Sequence, residues 1–188
     1  GGIKEEGSTS AIREQKLKVT EFFKFIQDGD IDTIYTSLIE TPQLIGAVDA
    51  EGNNSLMVAA KCGKMGIVEQ LYQIEPTLIN ATDKEGNNIL MLAARYNQAE
   101  VVKWAYSIQP SLIEAKNLAG NNPLMVAVQY GNAAIAEMLH TVNNGLINGT
   151  NTEGNNALMI AAGRGDWRLT HYLYSKQPTL LNGINLKR

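Results

Sequence analysis

The chain has 188 residues, of which 44% are apolar and 19% charged, with a formal net charge of −3. That apolar fraction supplies one elongated domain with a continuous core, whereas slight acidity without a Lys/Arg block argues against nucleic acid as partner. No apolar run approaches membrane-spanning length, which argues against membrane insertion, and the single Cys62 excludes an internal disulfide.

The first ten residues, Gly-Gly-Ile-Lys-Glu-Glu-Gly-Ser-Thr-Ser, are polar, and residues 1–14 read as a flexible tail. No initiator Met precedes Gly1, so the chain is trimmed or has lost a leader. The compartment reads as cytoplasmic, with export to a periplasm as the alternative if a leader was removed.

The triplet Gly-Asn-Asn then occurs at 52–54, 86–88, 120–122 and 154–156, each copy 34 residues after the last. A fixed period of this size marks stacked structural units. After the triplets come Ser-Leu-Met-Val-Ala-Ala, Ile-Leu-Met-Leu-Ala-Ala, Pro-Leu-Met-Val-Ala-Val and Ala-Leu-Met-Ile-Ala-Ala, starting at 55, 89, 123 and 157. Gly63, Asn97, Gly131 and Gly165 follow in phase. Subtracting the period places Gly29 under Gly63 and Pro42 under Pro76, which reveals a degenerate first copy. The repeats are therefore 15–48, 49–82, 83–116, 117–150 and 151–184, with 185–188 as the start of a sixth unit or a C-terminal tail.

Each repeat reads as two helices. Asn54, Asn88, Asn122 and Asn156 stand where a side chain accepts the orphan donors of a helix start. Leu56, Ala59, Ala60 and Gly63 then recur at helical spacing, so they share one face of a helix of about two turns. Gly63 and its equivalents suit the left-handed residue past a helix end, with Asn97 as the best non-Gly substitute. A second helix runs over Met65–Ile74 with Val68, Leu71 and Tyr72 inward, until Pro76 or its counterpart stops it. Asp-x-x-Gly-Asn makes the turn between repeats. The expectation is ten short helices in five antiparallel pairs, with Met57, Met91, Met125 and Met159 as core filler.

The pattern of a Gly turn, an apolar Leu-Met-x-Ala-Ala helix, a Gly and an Ile-Val-x-x-Leu helix over Gly52–Tyr72 resembles the ankyrin-repeat family. It covers repeats two to five well and the first weakly. The resemblance implies an all-α, ankyrin-type solenoid of five helix-turn-helix repeats joined by turn or β-hairpin-like loops. Three features depart from the family pattern: Asn for the usual Thr, Met for the His, and one extra residue near the Pro. The first two changes remove a hydroxyl and an imidazole that help join neighbouring repeats in the family.

No catalytic constellation accompanies the repeats. Cys62 ends a first helix while His140 and His171 lie on second helices two or three repeats away, so no Cys–His pair is expected. Asp28, Asp30 and Asp32 begin like a calcium loop, but the required Gly falls on Thr33 and the bidentate Glu on Ile39. They read as a solvated turn. No enzyme activity, cofactor or metal is expected.

The resemblance also implies a binding surface, a concave strip of turn tips and first-helix ends. Carried over by position, it holds Glu51, Lys61 and Cys62; then Lys84, Glu85, Arg95 and Tyr96; then Leu118, Ala119, Gln129 and Tyr130; and finally Thr152, Glu153 and Arg164. Tyr96 and Tyr130 share a repeat position, so stacking sets them side by side near Arg95, in the composition of a binding hot spot. Trp104, Trp167, Tyr72, Tyr106 and Tyr174 belong to second helices and are expected to pack the back layer. The expected function is a non-catalytic module, monomeric alone, that binds a partner protein. A sharper version is an inhibitor or self-protection protein covering a partner enzyme. The alternative is a regulatory repeat domain of a longer enzyme or effector.

Overall fold

The computed structural model describes residues 2–186, and these are helical with short connections. They divide into two compact units, Gly1–Ala81 and Thr82–Arg188, whose boundary falls within a residue of the boundary between the second and third repeats.

In the first unit, helices α1 (Gly2–Asp28), α2 (Ile31–Glu40), α3 (Ser55–Lys61) and α4 (Met65–Ile74) are joined by turns and by the 3-10 segments Pro42–Gly46 and Pro76–Asn80. Helix α1 includes, from Gly2 onward, the polar segment read as a tail. Only its last turns enter the core, through Phe22, Phe23 and Ile26. Asp30 starts α2: its carboxylate accepts from the Thr33 backbone N–H at 3.2 Å and from the Thr33 hydroxyl at 2.6 Å. These bonds hold the Asp30 carboxyl below its ordinary pKa. Asp30 of the acidic turn thus serves the junction between α1 and α2. Tyr35 donates its hydroxyl proton to Gln70 Oε1 and ties α2 to α4.

The second unit repeats one motif three times. Helices α5 (Ile89–Arg95) and α6 (Ala99–Ile108), α7 (Pro123–Gln129) and α8 (Ala133–Val142), and α9 (Ala157–Gly163) and α10 (Trp167–Lys176) form pairs. A final helix, α11 (Leu181–Leu186), crosses the expected end of the fifth repeat at 184. Among the described residues the ten expected helices are present as five pairs, but α1, at 27 residues, is not short, and α11 is additional. Among the described residues no helix is long and apolar enough to cross a membrane.

The first helices of the second, third and fourth repeats, α3, α5 and α7, are more deeply placed than a one-sided stripe predicts. Every residue from Ser55 to Ala60, Ile89 to Ala94 and Pro123 to Val128 is buried. Helix α7 explains why: it packs against α5, α8 and α9, so Pro123 to Val128 are covered and only Gln129 at its end is exposed. The second helices are amphipathic, with Ile67, Val68 and Leu71, or Val101, Val102 and Ala105, turned inward. Met57, Met91 and Met125 are fully buried, and Met159 is half-buried.

Two elements of the sequence code define each repeat. In repeats two to five the Asn at the first-helix start caps it: Asn88 Oδ1 accepts from Met91 N at 2.9 Å and Asn122 Oδ1 from Met125 N at 2.9 Å. The same amide reaches 24 residues on, donating through Nδ2 to the carbonyl of Leu112 or Leu146 in the 3-10 segment of its own repeat. A Thr could make the first bond but would have to share one hydroxyl for the second. At the helix end, Asn97 takes φ +60° where the other repeats have Gly29, Gly63, Gly131 and Gly165. This left-handed conformation is strained for most residues and tolerable for Asn.

The aromatic residues of the back layer divide. Tyr72, Trp104 and Tyr106 are half-buried. Trp167, however, is 75% exposed and Tyr174 is also exposed, contrary to the expectation that both pack inward. Trp167 opens α10 two positions before the buried Leu169, outside the inward stripe of Leu169 and Leu173. Ala99 and Ala133 hold the same place in the preceding repeats.

Candidate functional site

The tips of the second unit fold by side-chain acceptance. Asp83 Oδ1 accepts from Glu85 N and Asn87 N, both at 2.9 Å, and Asn117 Oδ1 accepts from Ala119 N at 3.1 Å and Asn121 N at 3.0 Å. Asn151 does the same for Glu153 N and Asn155 N. Each Asx side chain thereby satisfies backbone donors that the turn would otherwise leave open. Neighbouring tips are then joined by backbone: Leu118 N donates to Glu85 O at 2.9 Å and Thr152 N to Ala119 O at 3.0 Å. Gly120 is required at this crossing. Its φ is +79°, and a Cβ there would stand 2.8 Å from Thr152 N.

Beneath the tips, Asn117 Nδ2 donates to Asn87 Oδ1 at 2.9 Å and Asn151 Nδ2 to Asn121 Oδ1 at 3.1 Å. These amide pairs connect successive repeats. The Asp-x-x-Gly-Asn pattern places Asn87 and Asn121 only in a turn. The available signal was the change from Asp83 to Asn117 and Asn151, which exchanges a carboxylate for an amide able to donate.

Arg95, Tyr96 and Tyr130 come together on this framework. The Arg95 guanidinium carbon lies 5.1 Å from the centroid of the Tyr96 ring and 4.8 Å from that of Tyr130. Both are within cation–π range. Glu85 approaches Arg95 at 3.8 Å from the tip above. The two tyrosines are each 39% exposed, and Leu118 on the next tip is 73% exposed. Lys84, Ala119, Gln129, Thr152 and Glu153 are exposed beside them.

The two arginines of the strip are used differently. Arg164 Nη1 donates to the carbonyl of Gln129 at 2.6 Å, closing the C-terminal end of α7. At the end of α5 that task falls to Asn132, whose Nδ2 donates to Ala94 O at 2.7 Å and Arg95 O at 3.0 Å. In both cases the cap comes from the following repeat. In the first unit, Glu51 and Cys62 are exposed and Lys61 is half-buried at the end of α3. The Glu51 tip folds like the others, with Asp49 Oδ1 accepting from Glu51 N at 3.0 Å.

His140 and His171 lie on α8 and α10. Among the described residues no group of three His, Cys, Asp or Glu side chains could hold a metal ion. His140 packs edge-on against Tyr172, ring centroids 6.1 Å apart, and its Nδ1 is buried without a hydrogen-bond partner. Burial, and then the charge of Lys176, lowers the His140 pKa. Burial followed by the charge of Glu137 raises that of Tyr172.

Folding therefore favours neutral His140. The contribution is fully present above the ordinary histidine pKa of about 6.5 and is lost as pH falls through the lower folded value. His140→Gln is expected to reduce the loss of stability between pH 7.5 and pH 5. Urea midpoints of both proteins at the two pH values measure this. Equal losses would show that His140 does not carry the dependence.

The chain matches a family model described as ankyrin repeats (3 copies) over residues 22–109 and another described as ankyrin repeats (many copies) over residues 107–154. The first match begins at Phe22, where α1 enters the core, so the degenerate first copy is included in part. No curated protein matches the chain. With the in-phase caps, left-handed helix ends and paired helices, these matches mean that the chain belongs to the ankyrin-repeat family, whose repeats are generally protein–protein interaction modules and typically non-catalytic.

Proposed function

We propose that this protein binds a partner protein through the tips and first-helix ends of its third, fourth and fifth repeats. The observation that carries the reading is the cluster of Arg95, Tyr96 and Tyr130 below the exposed Leu118. Aromatic and Arg side chains at the centre of a surface are the residue types that dominate binding energy. The framework beneath supports them without much ordering cost. Asn132 and Arg164 close the helix ends, the amide pairs fix repeat spacing, and backbone bonds hold adjacent tips. A surface already held in place loses less entropy on binding.

The test starts from an affinity capture in the native source, followed by reconstitution with the purified partner. Hydrogen exchange on that complex is expected to slow in residues 83–87, 94–98, 117–121 and 128–131. Protection confined to α6, α8 and α10 would move the site to the opposite face. If the partner is an enzyme and its activity falls at unit stoichiometry with protection at the tips, the narrower reading of an inhibitor holds.

A further inference from the structure

We propose that the partner presents a carboxylate side chain to Arg95, taking the place that Glu85 holds in the free protein. The inference rests on the reading of the strip as the binding surface and adds the chemistry of what it receives.

Three observations lead there. First, the guanidinium lies over two rings, at 5.1 Å and 4.8 Å. A guanidinium held against aromatic faces keeps its N–H groups available in its own plane, the geometry that a carboxylate meets with two parallel bonds. Second, the carbonyls at the end of α5, which would otherwise compete for those donors, are already bonded to Asn132. Arg164, in register with Tyr96 and Tyr130, instead spends one of its nitrogens on the Gln129 carbonyl of the preceding repeat.

Third, Glu85 stands at 3.8 Å, an ionic approach longer than a hydrogen bond, with its own side chain 73% exposed. An exposed pair of this kind is weak and exchanges readily. Glu85 thus marks where a carboxylate sits while holding the place loosely. Its backbone carbonyl accepts from Leu118 N, so the exposed Leu118 side chain belongs to the adjoining tip. The segment that fits is an acidic residue accompanied by an apolar one. A phosphorylated residue fits less well, since its larger negative charge would face Glu85 at close range.

A displayed library of random, unphosphorylated peptides is the probe. Peptides selected on the wild-type protein are expected to be enriched in Asp or Glu at one position, beside an apolar residue. Their affinity should fall about tenfold or more with Arg95→Gln, as expected for loss of a charge-assisted pair. It should rise about two- to fivefold with Glu85→Gln, which removes the competitor without disturbing the core.

Selected peptides that require Tyr96 and Tyr130 but show no acidic enrichment would overturn the carboxylate and leave the binding strip standing. So would affinity that appears only after a peptide serine or threonine is phosphorylated. A library that yields no peptide dependent on the two tyrosines overturns both the carboxylate and the strip.

Discussion

Asn122→Ala is expected to lower the stability of the protein by about 2–4 kcal/mol, far more than a change on the exposed tips. Asn122 is buried, and both ends of its amide are engaged: Oδ1 accepts from Met125 N at 2.9 Å and Nδ2 donates to Leu146 O at 2.8 Å. Losing an Asn cap costs about 0.5–2 kcal/mol, and a buried carbonyl left unpaired about 1–3 kcal/mol more. Water cannot easily repair either bond, because the flanking Pro123, Leu124 and Met125 are buried. Asn122→Asp keeps the cap and loses the strut, and it sets a negative charge against the Leu146 carbonyl. It should therefore also be destabilising, which a role in capping alone would not predict. Urea unfolding of both variants measures the effect, with Glu85→Ala as the surface reference expected within about 0.5 kcal/mol of wild type. An alanine variant as stable as that reference would show that the strut contributes nothing.

Tyr96→Ala combined with Tyr130→Ala is expected to weaken partner binding by about 2 kcal/mol or more, a factor near thirty, with the fold intact. Each ring is 39% exposed, so truncation removes contact surface rather than core. The loss should exceed the area of two rings, because both faces that steady Arg95 disappear together. Affinity for the captured partner is the measurement, with circular dichroism confirming helicity. A control variant, His140→Gln with Cys62→Ser, should bind within a few fold of wild type. An activity centred on those two residues predicts the reverse, with function lost and binding kept. Undiminished binding by the tyrosine variant would place the contact on the second helices or beside Pro76, Pro110 and Pro178.

Much of the repeat was legible because its rules act over a few residues. The second helix of repeat two occupies Met65–Ile74 as its pattern predicts, bounded by the residues before it and by Pro76 after it. The left-handed backbone at Asn97 followed from its phase with three glycines, because few other side chains tolerate φ near +60°. The degenerate first copy was found by subtraction alone, and Gly29 has the expected positive φ. The candidate strip was legible as a set of register positions. What each side chain does there was not.

By itself, then, the sequence determined the family, the number of helix pairs, the caps and the turn positions of this protein. Each depends on backbone sterics and donor–acceptor accounting within one repeat, and the 34-residue period copies the answer along the chain. Only the tertiary structure decided that the capping asparagines also reach a carbonyl 24 residues away and that Asn117 and Asn151 pair with amides of the preceding repeat. It also decided that Arg164 bonds to backbone while Arg95 lies between two rings, and that Trp167 stands in solvent. The physical reason is distance. These bonds depend on how far one repeat is displaced from the next and on which neighbour captures a carbonyl first. Neither quantity is encoded in the local periodicity from which helices and turns are read.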